Sequence, residues 1–95
     1  MELNYEMMYI IRPVEQEISK RLNAKLEKFI TDNGGRIKDV DCWGDRKLAY
    51  EIQGFSSGVY VLLTFKGTRK VIKELDHAAK LTDEILRHMI IRKGC

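Results

Sequence analysis

The chain has 95 residues, and a chain of this length buries about 60 to 65% of its extended surface, enough for one hydrophobic core. With 44% hydrophobic and 33% charged residues it is too apolar for a disordered chain, and its longest uncharged apolar run, Gly58 to Phe65, is far shorter than the roughly 20 residues of a membrane-spanning helix. We therefore predict a single domain over residues 1–95 without a membrane span, whose net charge of +3 is only a weak sign of nucleic-acid binding.

The first two predicted elements are a strand and a helix. Tyr5 to Ile11 is apolar at nearly every position and stops just before the only proline, which predicts a buried or half-buried strand. Glu15 to Asn33 is predicted to be a helix, because its apolar residues recur at steps of three and four. Its apolar stripe is Ile18, Leu22, Leu26, Phe29 and Ile30, its first-turn acids are Glu15 and Glu17, and its terminating residues are Asn33, Gly34 and Gly35.

The middle of the chain is predicted to be extended. Arg36 to Ile52 is one long stretch in which the alternation of apolar residues slips near Gly44-Asp45, and this slip predicts a bulge or a sharp bend. Gln53 to Gly58 is rich in turn-forming residues and is predicted to be a loop. Gly58 to Phe65 follows as a β-rich strand that is largely apolar on both faces.

A second helix and a fourth strand complete the predicted elements. Thr68 is expected to cap the helix, which extends to about Leu81, and Ile85 to Lys93 is expected to be a strand with apolar residues on both faces. The apolar stripe of this helix is Val71, Ile72, Leu75, Ala78 and Ala79.

The order β-α-β-β-α-β predicts an α+β fold, the ferredoxin-like sandwich, with a four-stranded antiparallel sheet and two helices on one face. The other sheet face would then be uncovered. If Met7, Tyr9 and Val59 point to the helices, that face carries apolar residues of the first and third strands. These are Met8, Ile10, Tyr60 and Leu62. Such a patch is typical of a partner surface, unless one strand faces the other way or long Lys and Arg stems cover it.

The side chains that catalysis would need are sparse. His77 in the second helix and His88 on the last strand have no serine or cysteine nucleophile arranged beside them, and no phosphate-binding glycine loop occurs. The acids Asp39, Asp41 and Asp45 lie among basic residues and resemble a solvated edge more than a metal site. We predict no enzyme, no metal and no cofactor.

The two cysteines, Cys42 and Cys95, cannot form a disulfide framework, and with the two histidines they lack the short paired spacings of zinc sites. Two free thiols are expected, and a bond between the two is the alternative. No signal peptide opens the chain, so a reducing compartment such as the cytoplasm is expected.

Nucleic-acid binding is the remaining possibility. The RNA recognition motif has the same element order, but Val59, Val61 and Thr64 occupy its base-stacking positions, so base stacking across the sheet is not expected. Basic side chains that contact phosphates are the alternative. Residues 66–95 carry eight basic and four acidic side chains, whereas residues 1–65 carry nine and ten. The residues predicted to contact the phosphates of an RNA are Arg46, Lys47, Lys66, Arg87, Arg92 and Lys93.

Four segments resemble the family of the sixth protein of the bacterial small ribosomal subunit. They are Tyr5-Glu6 with Ile10-Ile11-Arg12-Pro13, the glycine pair after Asn33, the run from Trp43 to Ile52, and Gly58-Val59-Tyr60, with Gly-x-Arg-x-Leu-Ala-Tyr-x-Ile at Gly44 to Ile52 the most specific. The similarity extends from about Tyr5 to Lys93. Many members continue into a polar or acidic tail, whereas this chain ends at Gly94-Cys95, so contacts made by that tail are not expected here.

The resemblance implies a ferredoxin-like fold without covalent chemistry or a small-molecule substrate, located on the ribosome in the cytoplasm. It also implies assembly on the central domain of the small-subunit rRNA, paired as a heterodimer with the eighteenth small-subunit protein. The residues predicted to contact that partner are Met8, Ile10, Tyr50, Tyr60 and Leu62.

Two other functions are weighed against this one. A small-molecule sensor or hydrolase on the same fold would need a glycine-rich loop after the first strand, where the chain has Arg12-Pro13-Val14-Glu15. A homodimeric interaction module would use the uncovered face to bind a second copy.

Overall fold

The computed structural model describes residues 3–93. Within them the strands form one antiparallel sheet in the order β2-β3-β1-β4, and both helices pack on the same face, which confirms the predicted ferredoxin-like fold. The elements are β1 (Leu3–Ile11), α1 (Gln16–Asp32), β2 (Arg36–Ile52), β3 (Phe55–Gly67), α2 (Arg69–Lys80) and β4 (Ile85–Arg92).

The main core lies between the sheet and the two helices. Met7, Tyr9 and Ile11 of β1 are fully buried and alternate with residues of the opposite face, as the pleat of a strand requires. The side chains that complete this core on the other elements are Leu22, Leu26, Ile30, Val61, Leu63, Phe65, Leu75, Ala79 and Ile85.

Helix α1 begins one residue later than its sequence pattern predicts. Glu15 is the N-cap and only Glu17 lies in the first turn. Gly34, with φ of +85°, ends the helix, and the Gly35 N–H donates a 2.8 Å hydrogen bond to the Ile30 carbonyl. Ile18, which the periodicity assigns to the apolar stripe, is 39% exposed, so the prediction was wrong for this residue.

Helix α2 begins as predicted. The Thr68 hydroxyl accepts a hydrogen bond of 3.4 Å from the Val71 N–H, which satisfies one of the free donors of the first turn. Val71, Leu75 and Ala79 form its buried stripe.

Strands β2 and β3 form a longer hairpin than expected. The loop predicted over Gln53 to Gly58 was wrong in extent, because β3 already begins at Phe55. Gln53 and Gly54 alone make the turn, with φ of 51° and 84°. Two consecutive positive φ values are typical of the type I′ turn that connects hairpins by two residues.

Register shifts interrupt the strand pairing at four places, and one in β2 and one in β1 bear on the open face. The expected slip in β2 lies between Cys42 and Gly44, whose φ is +78°, so Trp43 is the extra residue. A second irregularity between Ile10 and Ile11 shifts the pairing of β1 with β4. Because of that shift Ile85 joins the main core while Leu86 faces the opposite side, a change of face that the sequence pattern of β4 does not indicate.

Neither helix in the described part of the chain is long and apolar enough to cross a membrane.

Candidate functional site

The sheet face without helices, called the open face below, carries apolar side chains on every strand. Leu62 of β3 lies opposite Met8 of β1, and Met8 lies opposite Met89 of β4, so the three adjoin across the sheet. Met89 and Ile91 are 53% and 47% exposed. The surface, called the apolar band below, consists of Trp43, Tyr60, Leu62, Met8, Met89 and Ile91.

One end of the open face is covered by the chain itself. Ile10, predicted to contact a partner, faces this side but is only 9% exposed. Leu48 of β2 and Leu86 of β4 bury it in a small second core. The side chains around that core are Ile52, Phe55 and Tyr60. Ile10 is thus beneath this cluster rather than on the free surface.

A hydrogen bond links the two edges of the sheet over this second core. The Arg87 guanidinium on β4 donates to the hydroxyl of Tyr50, which is on β2 and 62% exposed. Since β3 and β1 separate these strands, the end of the β2–β3 hairpin must bend across the open face. The phenol is neutral, so Arg87 keeps an uncompensated positive charge.

At the β2 edge the apolar band ends in a pair of aromatic rings. Trp43 and Tyr60 are nearly parallel, with an interplanar angle of 5° and a centroid separation of 6.2 Å. The indole Nε1–H donates a 2.9 Å hydrogen bond to the Asp41 carboxylate, which fixes the orientation of the ring. Arg46 completes this corner and lines a depression of about 440 Å³ with the two rings.

The predicted rRNA-binding residues do not form one patch. Arg46 and Lys47 lie near the hairpin end, at the same end of the sheet as Arg87, whereas Lys66 is at the far end of β3, opposite Asn4 and Arg36. Arg92 and Lys93 share that far end. The two groups are about 20 Å apart, since six residues of extended chain separate their levels in β1.

The far basic group is itself divided between the faces. Arg92 lies opposite Tyr5, so it faces the helix side, where it lines a depression with Leu3 and two further basic residues. The basic residues there are Arg69 and Lys70. Lys93, by contrast, forms an ion pair of 3.2 Å with Glu6, which reduces its charge available to a phosphate.

Sequence reasoning missed three members of the open face. Trp43 reaches it because of the bulge, and Met89 and Ile91 reach it through the regular pairing of β4 with β1, opposite Met8 and Glu6. The slip near Gly44 was a visible signal for Trp43. The β4 residues had no comparable signal, because both faces of β4 are apolar in the sequence.

A polar contact connects α2 to β4 on the helix side. Nε2 of His88 lies 2.6 Å from the Asp76 carboxylate, which also accepts from Lys80 at 3.1 Å. The hydrogen bond with His88, followed by that with Lys80, lowers the pKa of Asp76 below its usual value. His88 is half-buried and adjoins no nucleophile, so this contact is a link between elements.

Among residues 3–93 no three His, Cys, Asp or Glu side chains lie close enough together to hold a metal ion. Cys42 is exposed. The alternative bond from Cys42 to Cys95 involves a residue outside the described range.

Comparison with known sequences gives one consistent family. The sequence model of the family described as ribosomal protein S6 matches residues 4–92. The small ribosomal subunit protein bS6 of Desulforamulus reducens is 46% identical over 92 residues, which cover 96% of this chain and 97% of that protein. That of Moorella thermoacetica is 41% identical over 90 residues, covering 94% and 92%.

Solved structures agree with this result. The crystal structure of 30S ribosomal protein S6 from Thermotoga maritima superposes with a TM-score of 0.93 at 35% identity and covers 98% of this chain and 89% of that one. The C-terminal domain of the MgtC protein from Mycobacterium tuberculosis superposes with a TM-score of 0.69 at 11% identity, covering 96% and 87%, a likeness of fold alone.

Proposed function

This chain belongs to the ribosomal protein S6 family, and on that premise we propose that it binds the central domain of the small-subunit rRNA as a heterodimer with the eighteenth protein of that subunit. Family membership makes it a non-enzymatic, structural protein of the small ribosomal subunit, located on ribosomes in the cytoplasm. The choice of rRNA domain and of partner follows from the resemblance to that family.

The exposed apolar band is the observation that best supports a protein partner. About half of the Met89 and Ile91 side-chain surface contacts solvent, although both lie in the sheet beside Met8 and Glu6. A contiguous apolar surface of this kind is costly to leave in water and is typical of a binding face. The partner-contact residues we propose are Met8, Tyr50, Tyr60 and Leu62, with Ile10 as buried support beneath them.

The basic groups at the two ends of the sheet support phosphate contacts. Arg46, Lys47 and Arg87 form the near group, and Lys66 and Arg92 belong to the far group. With a net charge of only +3, the chain offers few such contacts, and a basic partner is expected to supply the others. The near and far groups would fix the register of the heterodimer on folded rRNA.

Reconstitution tests the partner surface. We expect Met89→Asp to weaken pairing with the eighteenth protein at least tenfold, because it buries a carboxylate in an apolar interface. Leu81→Asp is the matched control, since Leu81 is 71% exposed and lies at the end of α2, on the helix side. Calorimetric titration measures both, and equal affinities for the two variants would contradict the proposed surface.

Binding of a central-domain rRNA fragment by the heterodimer tests the basic groups. We expect Arg46→Ala with Lys47→Ala to weaken binding. The slope of log affinity against log salt concentration should also become shallower, by a little under one for each phosphate that the variant no longer neutralises. Arg21→Ala with Lys25→Ala, on the exposed surface of α1, is the charge-matched control. Affinity that is independent of salt in the wild-type heterodimer would contradict phosphate recognition altogether.

A further inference from the structure

We infer that the corner formed by Trp43, Tyr60 and Arg46 is a binding site for an unpaired RNA nucleotide, with its base on the aromatic rings and its phosphate on the guanidinium. This inference rests on the proposed RNA-binding function and assigns one nucleotide class to a defined part of the surface.

The geometry of the two rings leaves room for a base. Aromatic rings in full face-to-face contact are about 3.5 to 4 Å apart, whereas the centroids of Trp43 and Tyr60 are 6.2 Å apart at an angle of 5°. The rings are therefore offset, and each leaves part of its face uncovered. Trp43 remains 40% exposed. An unpaired base can stack on the exposed part of the indole, and every base has a π-face suited to this contact.

The Trp43 indole is already oriented for stacking before a nucleotide binds. Its Nε1–H donates to Asp41 at 2.9 Å, and the residue belongs to a bulge anchored by Gly44 at φ +78°. A nucleotide that stacks on the indole then restricts the Trp43 side chain little further, because the ring orientation is already fixed. The hydrogen bond also engages one Asp41 oxygen and so keeps that carboxylate turned toward the indole.

Arg46 supplies a positive charge beside the rings, next to the Asp41 carboxylate that the indole engages. Arg46 lies beside both rings in the depression of about 440 Å³. None of the ion pairs found within residues 3–93 includes Arg46, so its guanidinium is available to a phosphate.

The position of this corner on the sheet explains why alignment with the RNA recognition motif does not find its aromatic residues. In that motif the stacking aromatics lie on the open side of the two central strands, whereas Val61 of β3 is buried in the main core and Val59 packs against it, so the sequence alignment was wrong for the face of these two residues. Here one ring belongs to the edge strand β2 and reaches the open face only through the bulge. The corner is at the outer end of the apolar band, so Tyr60 would serve the nucleotide here, and the central part with Met8 and Leu62 stays free for a protein.

The test uses the fluorescence of Trp43, the only tryptophan of the chain. We expect a single-stranded RNA hexamer of unstructured sequence to quench this fluorescence saturably, and a duplex of the same length to quench it far less, because paired bases are already stacked. Anisotropy of a labelled hexamer supplies the affinity of variants that lack the indole. Trp43→Leu should weaken binding about 5- to 100-fold, the range found for removal of one base-stacking aromatic.

Two variants separate the phosphate contact of Arg46 from a general effect of net charge. Arg46→Gln should weaken binding severalfold and lower the salt slope by about 0.7, the value for one phosphate contact on a single strand. Arg21→Gln, an exposed arginine of α1, changes the net charge equally and should leave hexamer binding unchanged. Circular dichroism of each variant checks that the fold is retained, as expected for exposed side chains.

The outcomes distinguish this inference from the function on which it rests. If the wild-type heterodimer binds the rRNA fragment but Trp43→Leu binds the hexamer as tightly as wild type, the nucleotide site is wrong and the proposed function stands. Quenching by the partner protein alone, with none by the hexamer, would assign the corner to the protein interface and overturn the inference. Failure of the wild-type heterodimer to bind rRNA would overturn the proposed function itself.

Discussion

At the scale of single residues, close packing rather than chemistry decides most positions of the open face. Gly58 of β3 is buried against β1, and a Cβ added there would lie 2.5 Å from Ile10 Cγ2 and 3.0 Å from the Ile11 carbonyl oxygen. Ile10 therefore fits into the second core only because position 58 has no side chain. The backbone φ of Gly58 is not positive, so glycine is required there only because there is no space for a side chain.

We expect Gly58→Ala to lower the free energy of unfolding by about 1–3 kcal/mol, as overpacked core positions do, because the Ile11 backbone oxygen cannot move without disturbing the sheet. Urea denaturation at neutral pH measures the change. Ser57→Ala, at the neighbouring position, should stay within about 0.5 kcal/mol of wild type. Similar stabilities for the two variants would show that β1 yields more readily than these distances imply.

Asp76 gives a second prediction at this scale. Its pKa is lowered in the folded state, first by the hydrogen bond with His88, so the carboxylate contributes stability above its unfolded pKa and loses that contribution as pH falls through the folded pKa. We expect Asp76→Asn to lower the melting temperature at pH 6 and to match wild type at pH 2. Asp83→Asn is the control that should show no such convergence. A deficit of Asp76→Asn that persists unchanged at pH 2 would mean that the contact acts through packing.

At the scale of elements, the β2–β3 hairpin is responsible for most of the functional surface. It supplies both aromatic rings of the corner, the near basic pair and the cover over Ile10. Its two-residue turn needs positive φ at Gln53 as well as at Gly54, although glutamine adopts that conformation reluctantly. The conformational strain of this turn is therefore coupled to the geometry of the surface that the hairpin supplies.

We expect Gln53→Asn to raise the free energy of unfolding by about 0.5 kcal/mol, because asparagine tolerates left-handed backbone better. Gly54→Ala should have the opposite effect, a loss of about 1 kcal/mol, although nothing lies within 4 Å of its added Cβ. Thermal denaturation compares the two. A loss on Gln53→Asn would mean that the glutamine side chain stabilises the turn in another way.

The elements also show how far the sequence allows prediction. The spacing of Leu22, Leu26 and Ile30 predicts α1, and the same order of elements predicts the sheet, because these patterns arise within single segments. The faces of Trp43 and Leu86 could not be predicted in the same way. Each depends on a bulge set by the pairing of two strands distant in the chain, and a shift of one residue moves a side chain to the opposite face.

The interface residues illustrate the same limit. The alternation in β1 and β3 correctly predicts that Met8 and Leu62 share the open face with Ile10. That Ile10 is covered depends on Leu48 and the bend of the hairpin end, a tertiary arrangement with no local sequence signal. The roles of these residues in binding stay predictions.

At the scale of the whole molecule, the two basic groups lie at opposite ends of the sheet with the apolar band between them, in an elongated body of 40 × 26 × 22 Å. A surface organised in this way suits a protein that contacts two macromolecules at once. Both cores share β1 and β3, and we propose that residues 1–95 unfold as one unit.

Pairing should then stabilise the entire chain. At a partner concentration 100 times the dissociation constant we expect a gain of about 2.7 kcal/mol, from mass action alone. Hydrogen exchange of the slowest amides in β1 and β3 measures this gain in the folded chain. Met89→Asp should remove most of it and Leu81→Asp should not. Protection that grows only in β4 would indicate a local contact and separately unfolding units.

The hydrogen bond between Tyr50 and Arg87 makes the two ends of the open face different. Within residues 3–93, one end of the face is bridged from edge to edge and the other is lined by side chains of the strands, so the face resembles a groove closed at one end. A helix or strand laid along it can enter from the Lys66 end and must stop at the bridge. The reach of a bound segment toward the hairpin end is thus limited by the free protein, before any partner arrives.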